Sequence, residues 1–318
     1  LENNGSAYQS GEDIYFRVNS VKEYGALSKQ KIDDLVSGSR IDVSDKKENP
    51  LDFALWKLTD DDGIKFDTEI GTGRPGWHTE CVVMVNSVFH KPLIDIHGGG
   101  FDLKFPHHEN EIAQSEAHNH TRLANYWLHV GFLLTNGVKM SKSLGNSILA
   151  KDVLLRHSGN AIRLFFQTTH YRAPVNYTEE NLNSFDKLNN RYFSSLRKAF
   201  NVLSIKHIPE GNVLQDKYEA FMDALTDDLN VANAMTVFDS LIKEVNTLTM
   251  KKDADLNRLS DLFATLIKFA SILGLSYEFS PLSEEDIALL DEYNKARENK
   301  DFKKSDELRP ALMEKGLL

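Results

Sequence analysis

Apolar and polar residues alternate from Tyr8 to Val18, with Ile14, Phe16 and Val18 on one side, which predicts a strand. Residues 28–50 are polar and charged, with a short helical pattern near Ile32 and Leu35 and a breaker at Asn49-Pro50. Phe53, Leu55, Trp56 and Leu58 form a second apolar patch, and residues 71–76 read as a loop. Cys81, Met84, Val85 and Val88 recur at helical spacing and predict a helix from Trp77 to Val88. Leu93 to His97 reads as a buried strand ending at Gly98-Gly99-Gly100. Pro106 stands where a helix would open and run on through Ala117. Trp127 to Leu134 reads as another strand, followed by the turn-like Asn136-Gly137. Strand, loop, helix and strand in succession predict a parallel α/β sheet.

The pattern changes after residue 150. Val153, Leu154, Ile162 and Leu164 to Phe166 predict short helices, and long amphipathic helices follow over 179–203, 214–226, 230–250 and 255–273. Gly274 stops the last of them as a C-cap glycine. Residues 275–283, with Pro281, read as a linker, and two more helices of mixed charge cover 284–315.

Composition adds limits. A chain of 318 residues has room for two or three domains. Its 41% hydrophobic and 26% charged residues are those of an ordinary globular protein, and no run is apolar and long enough to span a bilayer. Cys81 is the single cysteine, which rules out an intrachain disulfide and suits a reducing, cytoplasmic setting. The net charge of −10 lends no bulk support to nucleic-acid binding, although a local basic face can still hold phosphate.

Two stretches carry candidate chemistry. Lys139-Met140-Ser141-Lys142-Ser143 places two ammonium groups in a short loop that can be drawn over a polyphosphate. A solvated basic turn is the plainer reading. Cys81, His107 and Glu111 offer thiolate, imidazole and carboxylate, a donor set that suits Zn²⁺. His107 and Glu111 are four apart and share a helix face, while His108 and Glu109 compete with them as ligands.

The wording around these residues narrows the choice. Gly76-Trp77-His78-Thr79-Glu80-Cys81, Asp95-Ile96-His97-Gly98-Gly99-Gly100, Phe105-Pro106-His107-His108-Glu109-Asn110-Glu111 and the Lys139 loop occur in that order. Together they resemble the cysteinyl-tRNA synthetase family of class I aminoacyl-tRNA synthetases. The likeness extends through Thr169 to Arg172, Asp227 to Asn230, Ala296-Arg297 and Ser305 to Arg309.

The resemblance implies the second half of a Rossmann-like parallel-sheet catalytic domain followed by an all-α helical bundle. Its divisions would be an insertion over 1–66, the second half of the nucleotide-binding domain over 67–150 and a linking stem-contact region over 151–180. A tRNA-contacting bundle would follow over 181–276, then the start of an anticodon-recognition region over 284–318. The first half of the fold, with a further zinc cysteine and a His-Ile-Gly-His-type signature, is expected to precede Leu1. The implied zinc ligands are Cys81, His107 and Glu111, with Trp77 and His97 beside the substrate. Gly98, Gly99, Gly100, Lys139 and Lys142 would serve ATP, and Mg²⁺ would accompany it. The implied partners are ATP, L-cysteine and tRNA(Cys), acting on a monomer. Zinc would select cysteine over serine through the thiolate. The resemblance leaves open a ligase joining cysteine to an amino sugar, and an inactive tRNA-binding fragment. A purely structural zinc module leaves the Lys139 loop unexplained.

Overall fold

A computed structural model describes residues 1–30, 46–141 and 143–318. The helical pattern near Ile32 and Leu35, and Lys142, lie outside the described residues. The chain divides into two compact units, Leu1–Gly131 and Phe132–Leu318.

The first unit opens with an antiparallel sheet of β1 (Ala7–Ser10), β2 (Asp13–Phe16), β3 (Phe53–Leu58) and β4 (Gly73–Pro75), in that order. The strand expected over 8–18 is instead a hairpin. Gly11 adopts φ +62° and turns the chain so that Ser10 faces Asp13. Residues 73–75 are likewise not loop throughout: they pair with β3 at the edge of the sheet, the place where a strand tolerates proline. Ile14, Phe16, Val18, Phe53 and Leu55 are buried with Ala113, which ties this sheet to the helix that carries Glu111.

Helix α1 (Trp77–Phe89) follows β4 directly, starting at Gly76. An alanine Cβ at Gly76 would lie 1.9 Å from the Ala54 carbonyl oxygen, so the close approach of the helix start to β3 requires glycine. Next comes a β–α–β unit of β5 (Ile94–Gly100), α2 (Glu109–Asn119) and β6 (Ala124–Val130). β5 and β6 pair in parallel, with His97 beside Trp127 and Gly99 beside His129. Val82 and Val85 of α1 pack against Ile94, Leu123 and Ala124.

Pro106 does not open α2, which begins at Glu109. Phe105 is extended (φ −140°, ψ 135°), because the residue before a proline is pushed out of the helical region. His107 and His108 form the turn leading into α2, close enough to helical geometry that His107 still faces Glu111. The strand expected from Trp127 to Leu134 is broken between Val130 and Leu133, and its second part belongs to the other unit.

In the second unit β7 (Leu133–Thr135) and β8 (Val138–Lys139) form a hairpin across Asn136-Gly137, both at positive φ, and β9 (Val175–Tyr177) pairs parallel to β7. Two short helices, α3 (Ala150–Leu154) and α4 (Gly159–Gln167), precede a bundle. Its members are α5 (Glu179–Ile205), α6 (Gln215–Thr226), α7 (Val231–Thr249) and α8 (Leu256–Ile272). Thr178, Asn230 and Asp255 cap α5, α7 and α8 with their side chains. Leu196, Phe221, Phe238, Leu266 and Phe269 lie in one buried cluster, with Phe221 and Phe269 stacked at 4.0 Å. At the end of α8 the Gly274 N–H donates to the Ser271 carbonyl and the Leu275 N–H to that of Ala270, a Schellman closure around Gly274 at φ +69°.

Residues 275–283 are not a loose linker. Leu275 is buried, and Phe279 stacks on Phe193 and Phe200, so this strap covers one flank of the bundle. Helices α9 (Glu284–Glu298) and α10 (Phe302–Glu314) bury Leu290, Tyr293, Leu312 and Leu317 between them. No helix among the described residues is long and apolar enough to cross a membrane.

Candidate metal and substrate site

The donors cluster where β5, α1 and the start of α2 meet in the first unit. Cys81 stands on the second turn of α1, His107 in the turn before α2 and Glu111 on its first turn. Cys81, His107 and Glu111 offer ligand atoms that all lie within 4.8 Å of one another. The Cys81 Sγ is 3.7 Å from His107 Nε2, and His107 Nε2 is 2.8 Å from Glu111 Oε1. A tetrahedral ion with bonds of about 2.3 Å to sulfur and about 2.0 Å to nitrogen separates those two donors by roughly 3.5 Å, so the first distance fits as it stands. The second is shorter than metal ligation allows and must open by about half an ångström.

Glu111 supplies the sharper observation. Its side chain is fully buried, with Oε2 3.0 Å from His97 Nε2 and Oε1 beside His107. Neither contact has hydrogen-bond geometry, so both oxygens of a buried carboxylate lack a donor. Such a group is costly unless something positive reaches it. Burial alone would raise its carboxyl pKa, but the flanking His97 and His107 more than offset that and hold it below the usual range. An anionic, unsatisfied carboxylate beside a thiol and an imidazole is the chemistry of a cation site. A second donor group, His97, His108 and Glu111, shares the same carboxylate but lacks sulfur.

The groups around these donors set their protonation. Burial, with the Glu111 charge nearby, pushes the Cys81 thiol up to about 12, so it is protonated until a cation displaces the proton. His78 Nδ1 lies 2.7 Å from His107 Nδ1. Burial pushes His78 down to about 4, which keeps it neutral, so it can accept from the His107 Nδ1–H and leave Nε2 bare toward Cys81 and Glu111. His108 is also pushed down to about 4 by burial, and its Nδ1 meets His129 Nε2 at 2.9 Å.

The structure separates the competing ligand candidates. Glu109 is 1% exposed and faces away from the cluster, where its carboxylate accepts the backbone N–H groups of Gly25 (2.9 Å), Leu27 (3.3 Å) and Ser28 (2.8 Å). Trp77 is 61% exposed, which excludes plain core packing, and its ring lies 4.3 Å from that of His107. His97, in the middle of β5 because the strand runs on through Gly100, has a carboxylate partner and packs on Trp127 at 4.8 Å. Of the three glycines, Gly99 has a clear packing reason: a Cβ there would come within 2.8 Å of His108.

The Lys139 loop belongs to the second unit. The Lys139 ammonium sits 4.0 Å from the centre of the Phe132 ring. Asn146 ties the loop at both ends, donating to the Lys139 carbonyl and accepting the Ser141 N–H at 2.9 Å. Ser141 and Ser143 hydroxyls meet at 3.2 Å.

Comparison with known proteins places the chain in a family. Residues 1–187 match the model of the tRNA synthetases class I (C) catalytic domain, and residues 220–278 match the DALR domain. A cysteine–tRNA ligase of Staphylococcus aureus (strain Newman) is 41% identical over 332 aligned positions, covering 100% of this chain and 70% of the relative. The chain belongs to the cysteine–tRNA ligase family. Its relatives in that family are aminoacyl-tRNA synthetases, which are ligases. Solved structures show the shared class I fold at low identity. Mycobacterium tuberculosis methionyl-tRNA synthetase bound by methionyl-adenylate has a TM-score of 0.58 and 15% identity, covering 92% of this chain and 65% of that one. The Agrobacterium radiobacter leucyl-tRNA synthetase ternary complex has a TM-score of 0.52 and 13% identity, covering 65% of this chain and 31% of that one. The mixed α/β architecture with parallel strands and a helical second part is therefore that of class I synthetases.

Within this family member, sequence reading overlooked His78, His129 and Trp127. His78 sits in the quoted Trp77 to Cys81 stretch, three positions from Cys81 and so on the same side of α1, which was a usable signal. His129 reaches His108 only through the parallel pairing of β5 and β6, which no local spacing reveals.

Proposed function

We propose that the chain activates L-cysteine with ATP to cysteinyl-adenylate and passes the cysteinyl group to tRNA(Cys), with Cys81, His107 and Glu111 holding the zinc ion that selects the amino acid. The observation that carries this reading is the buried Glu111 carboxylate, unsatisfied at both oxygens, beside Cys81 and His107. Zinc bound there would supply a soft Lewis-acid position that prefers a thiolate to the harder, less acidic hydroxyl of serine. An apolar pocket alone separates such near-isosteres poorly.

The chain's own groups do the positioning. His78 accepts the His107 Nδ1–H and so fixes the tautomer that leaves Nε2 free to ligate. Trp77, exposed beside His107, covers the bound amino acid and keeps water from it. His97, anchored by Glu111, lies within β5 three residues before its carboxyl end, the edge where parallel sheets hold ligands, and there it orients substrate. The backbone at Gly98, Gly99 and Gly100 borders the nucleotide. Lys139 and Lys142 hold the β- and γ-phosphates and stabilise charge on the departing pyrophosphate, with Mg²⁺ accompanying ATP. The helical bundle from 181 to 276 contacts tRNA, residues 284–318 begin an anticodon-recognition region, and the protein works as a cytoplasmic monomer.

Cobalt(II) substitution tests the reading. One metal per chain should bind, and adding cysteine should introduce a sulfur-to-cobalt charge-transfer absorption that serine does not produce. Metal bound without any spectral response to cysteine refutes the substrate assignment, and no metal bound refutes the site.

A further inference from the structure

Two stretches of the family likeness, Thr169 to Arg172 and Asp227 to Asn230, lie outside the site and the Lys139 loop, but they meet each other in the second unit. Asp228 and Leu229 turn the corner between α6 and α7 at φ +54° and +57°. Neither is glycine, and a leucine side chain has no polar atom to offset the left-handed form. Three side chains converge on this corner. The Tyr171 hydroxyl donates to Asp228 Oδ1 at 2.7 Å, Arg172 Nη2 lies 2.9 Å from Oδ2, and His170 Nε2 donates to the Asp228 carbonyl at 3.1 Å. The donors also brace one another. The His170 ring stacks on Tyr171 at 4.8 Å, and Arg172 Nε donates to the Tyr171 hydroxyl at 3.0 Å.

This cluster adjoins the strand that supports the Lys139 loop. Only Ala173 and Pro174 separate Arg172 from β9. The Ala173 N–H closes a turn on the His170 carbonyl at 2.8 Å, and the proline ring fixes the next φ. All three residues of β9 then hold the β7–β8 hairpin or its approach. The Val175 N–H donates to the Phe132 carbonyl at 2.9 Å, Asn176 Oδ1 accepts from the Gly137 N–H at 2.7 Å, and the Tyr177 carbonyl accepts from the Asn136 N–H at 3.1 Å. Phe132 in turn carries the Lys139 ammonium over its ring. Asp228 and Arg172 are exposed, so their ion pair adds little to the stability of the bundle. What it can set is local: where β9 enters its sheet.

We propose that Asp228 is a positioning residue for the Lys139 loop. Its carboxylate fixes the turn of residues 170–174 and, through that turn, the strand on which the hairpin rests. The catalytic weight of this placement rests on the reading of Lys139 as a phosphate ligand.

Hydrogen exchange of the 318-residue chain, read by mass spectrometry, tests it with Asp228→Asn. Asparagine tolerates the left-handed backbone and keeps one acceptor, but loses the charge and the second oxygen. Amides of residues 133–139 and 175–177 should exchange about five- to tenfold faster, as expected for a lost charge-assisted contact at an exposed place, while those of α7 and α8 keep their rates. Arg172→Gln, which acts from the other side, should do the same. Leu229→Gly suits the backbone and leaves the carboxylate in place, so both strands should stay protected. Unchanged exchange of the strands in Asp228→Asn overturns the proposal. A rise shared by α7 and α8 overturns it too, because Asp228 would then support the bundle alone, and so does an equal rise in Leu229→Gly. Tripolyphosphate, the phosphate chain of ATP without its nucleoside, separates this from the phosphate reading. It should slow trypsin cleavage after Lys139 in wild type, and Asp228→Asn should need about three- to tenfold more of it for the same protection. No protection in wild type refutes Lys139 as a phosphate ligand, while the exchange rates still decide the role of Asp228.

Discussion

Glu109→Gln separates a structural carboxylate from a ligating one. The Glu109 carboxylate takes three backbone N–H groups from the loop of Gly25 to Ser28 and is nearly fully buried. Glutamine keeps one acceptor oxygen, which can serve Gly25 and Leu27 from the position of Oε1. Its NH₂ group must then face the Ser28 N–H. One charge-assisted hydrogen bond is lost, worth about 1.5–3 kcal/mol, and a buried donor is left unsatisfied at a further cost of about 1–3 kcal/mol. Glu109 also opens α2, where a negative charge meets the helix dipole favourably. A loss of about 3–5 kcal/mol follows, a large part of the stability of a typical domain. The three tryptophans, Trp56, Trp77 and Trp127, all lie in Leu1–Gly131, so their fluorescence in a urea titration follows that unit alone. With a slope near 2 kcal/mol per molar, the midpoint should fall by about 1.5–2.5 M. Metal content should stay at one per chain. A midpoint unchanged within about 0.3 M, or metal lost while the midpoint holds, refutes this reasoning and returns Glu109 to the ligand set.

Three further substitutions probe the same logic. Glu111→Gln should lower zinc affinity by at least the roughly 10–100-fold typical of losing an outer-sphere partner, read by competition with a chromophoric chelator, while the metal-free chain is no less stable because a buried unsatisfied charge is gone. Retained affinity would dismiss Glu111 as a ligand. Gly99→Ala places a methyl 2.8 Å from His108 Cε1 and 3.0 Å from Leu103 Cδ1, so overpacking should cost about 1–3 kcal/mol and shift the His108 imidazole resonances, and unshifted resonances would rule it out. In the second unit His157 contacts Asp186 through Nδ1 and Glu179 through Nε2 at 2.9 Å, and Asp186 first, then Glu179, raises its pKa above 6.5. That contribution is complete below pH 6.5 and is lost as pH climbs through the raised value. Asp186 and Glu179 are lowered, so their share is lost only in acid, as pH falls through their depressed values. The melting temperature followed by helical circular dichroism should therefore fall from pH 6.5 upward in wild type and stay flatter in His157→Gln. Parallel profiles would exclude His157 as the cause.

What was legible depended on how local its cause was. The bundle helices stand within two residues of where the apolar repeat puts them, since the repeat, the caps at Thr178, Asn230 and Asp255, and the Gly274 stop all lie in the sequence itself. The hairpin at Gly11 was hidden because polar residues continue the alternation across the turn. The pairing of Gly73 to Pro75 was hidden because it depends on β3, fifteen or more residues away, and Pro106 was misjudged because its effect falls on Phe105 before it. Residues 275–283 read as linker because two aromatics among small and polar residues have no period, yet Phe279 finds a bed of rings on α5 and α8. At the site, donor types and their order were visible, as was the shared face of His107 and Glu111. Which neighbours orient those donors was not, because His78 and His129 meet their partners only after the strands and helices are assembled.

The position of Glu111 between two imidazoles gives the site its internal logic. Its two oxygens face different residues, Oε1 toward His107 and Oε2 toward His97. If a cation engages Oε1, the carboxylate is fixed, and Oε2 is left to orient His97 within β5. The same carboxylate would then hold the metal and aim the residue proposed to orient substrate. A glutamine could do one of these with its oxygen, but its NH₂ would repel either the cation or an N–H of the other partner. An aspartate, one methylene shorter, could not span both contacts from the same helix position. Glu111→Asp should therefore uncouple the two roles: if zinc is retained at reduced affinity while the His97 imidazole resonances move from their wild-type positions, the carboxylate is a bridge. If the His97 imidazole resonances are the same in both proteins, Oε2 has no part in orienting it.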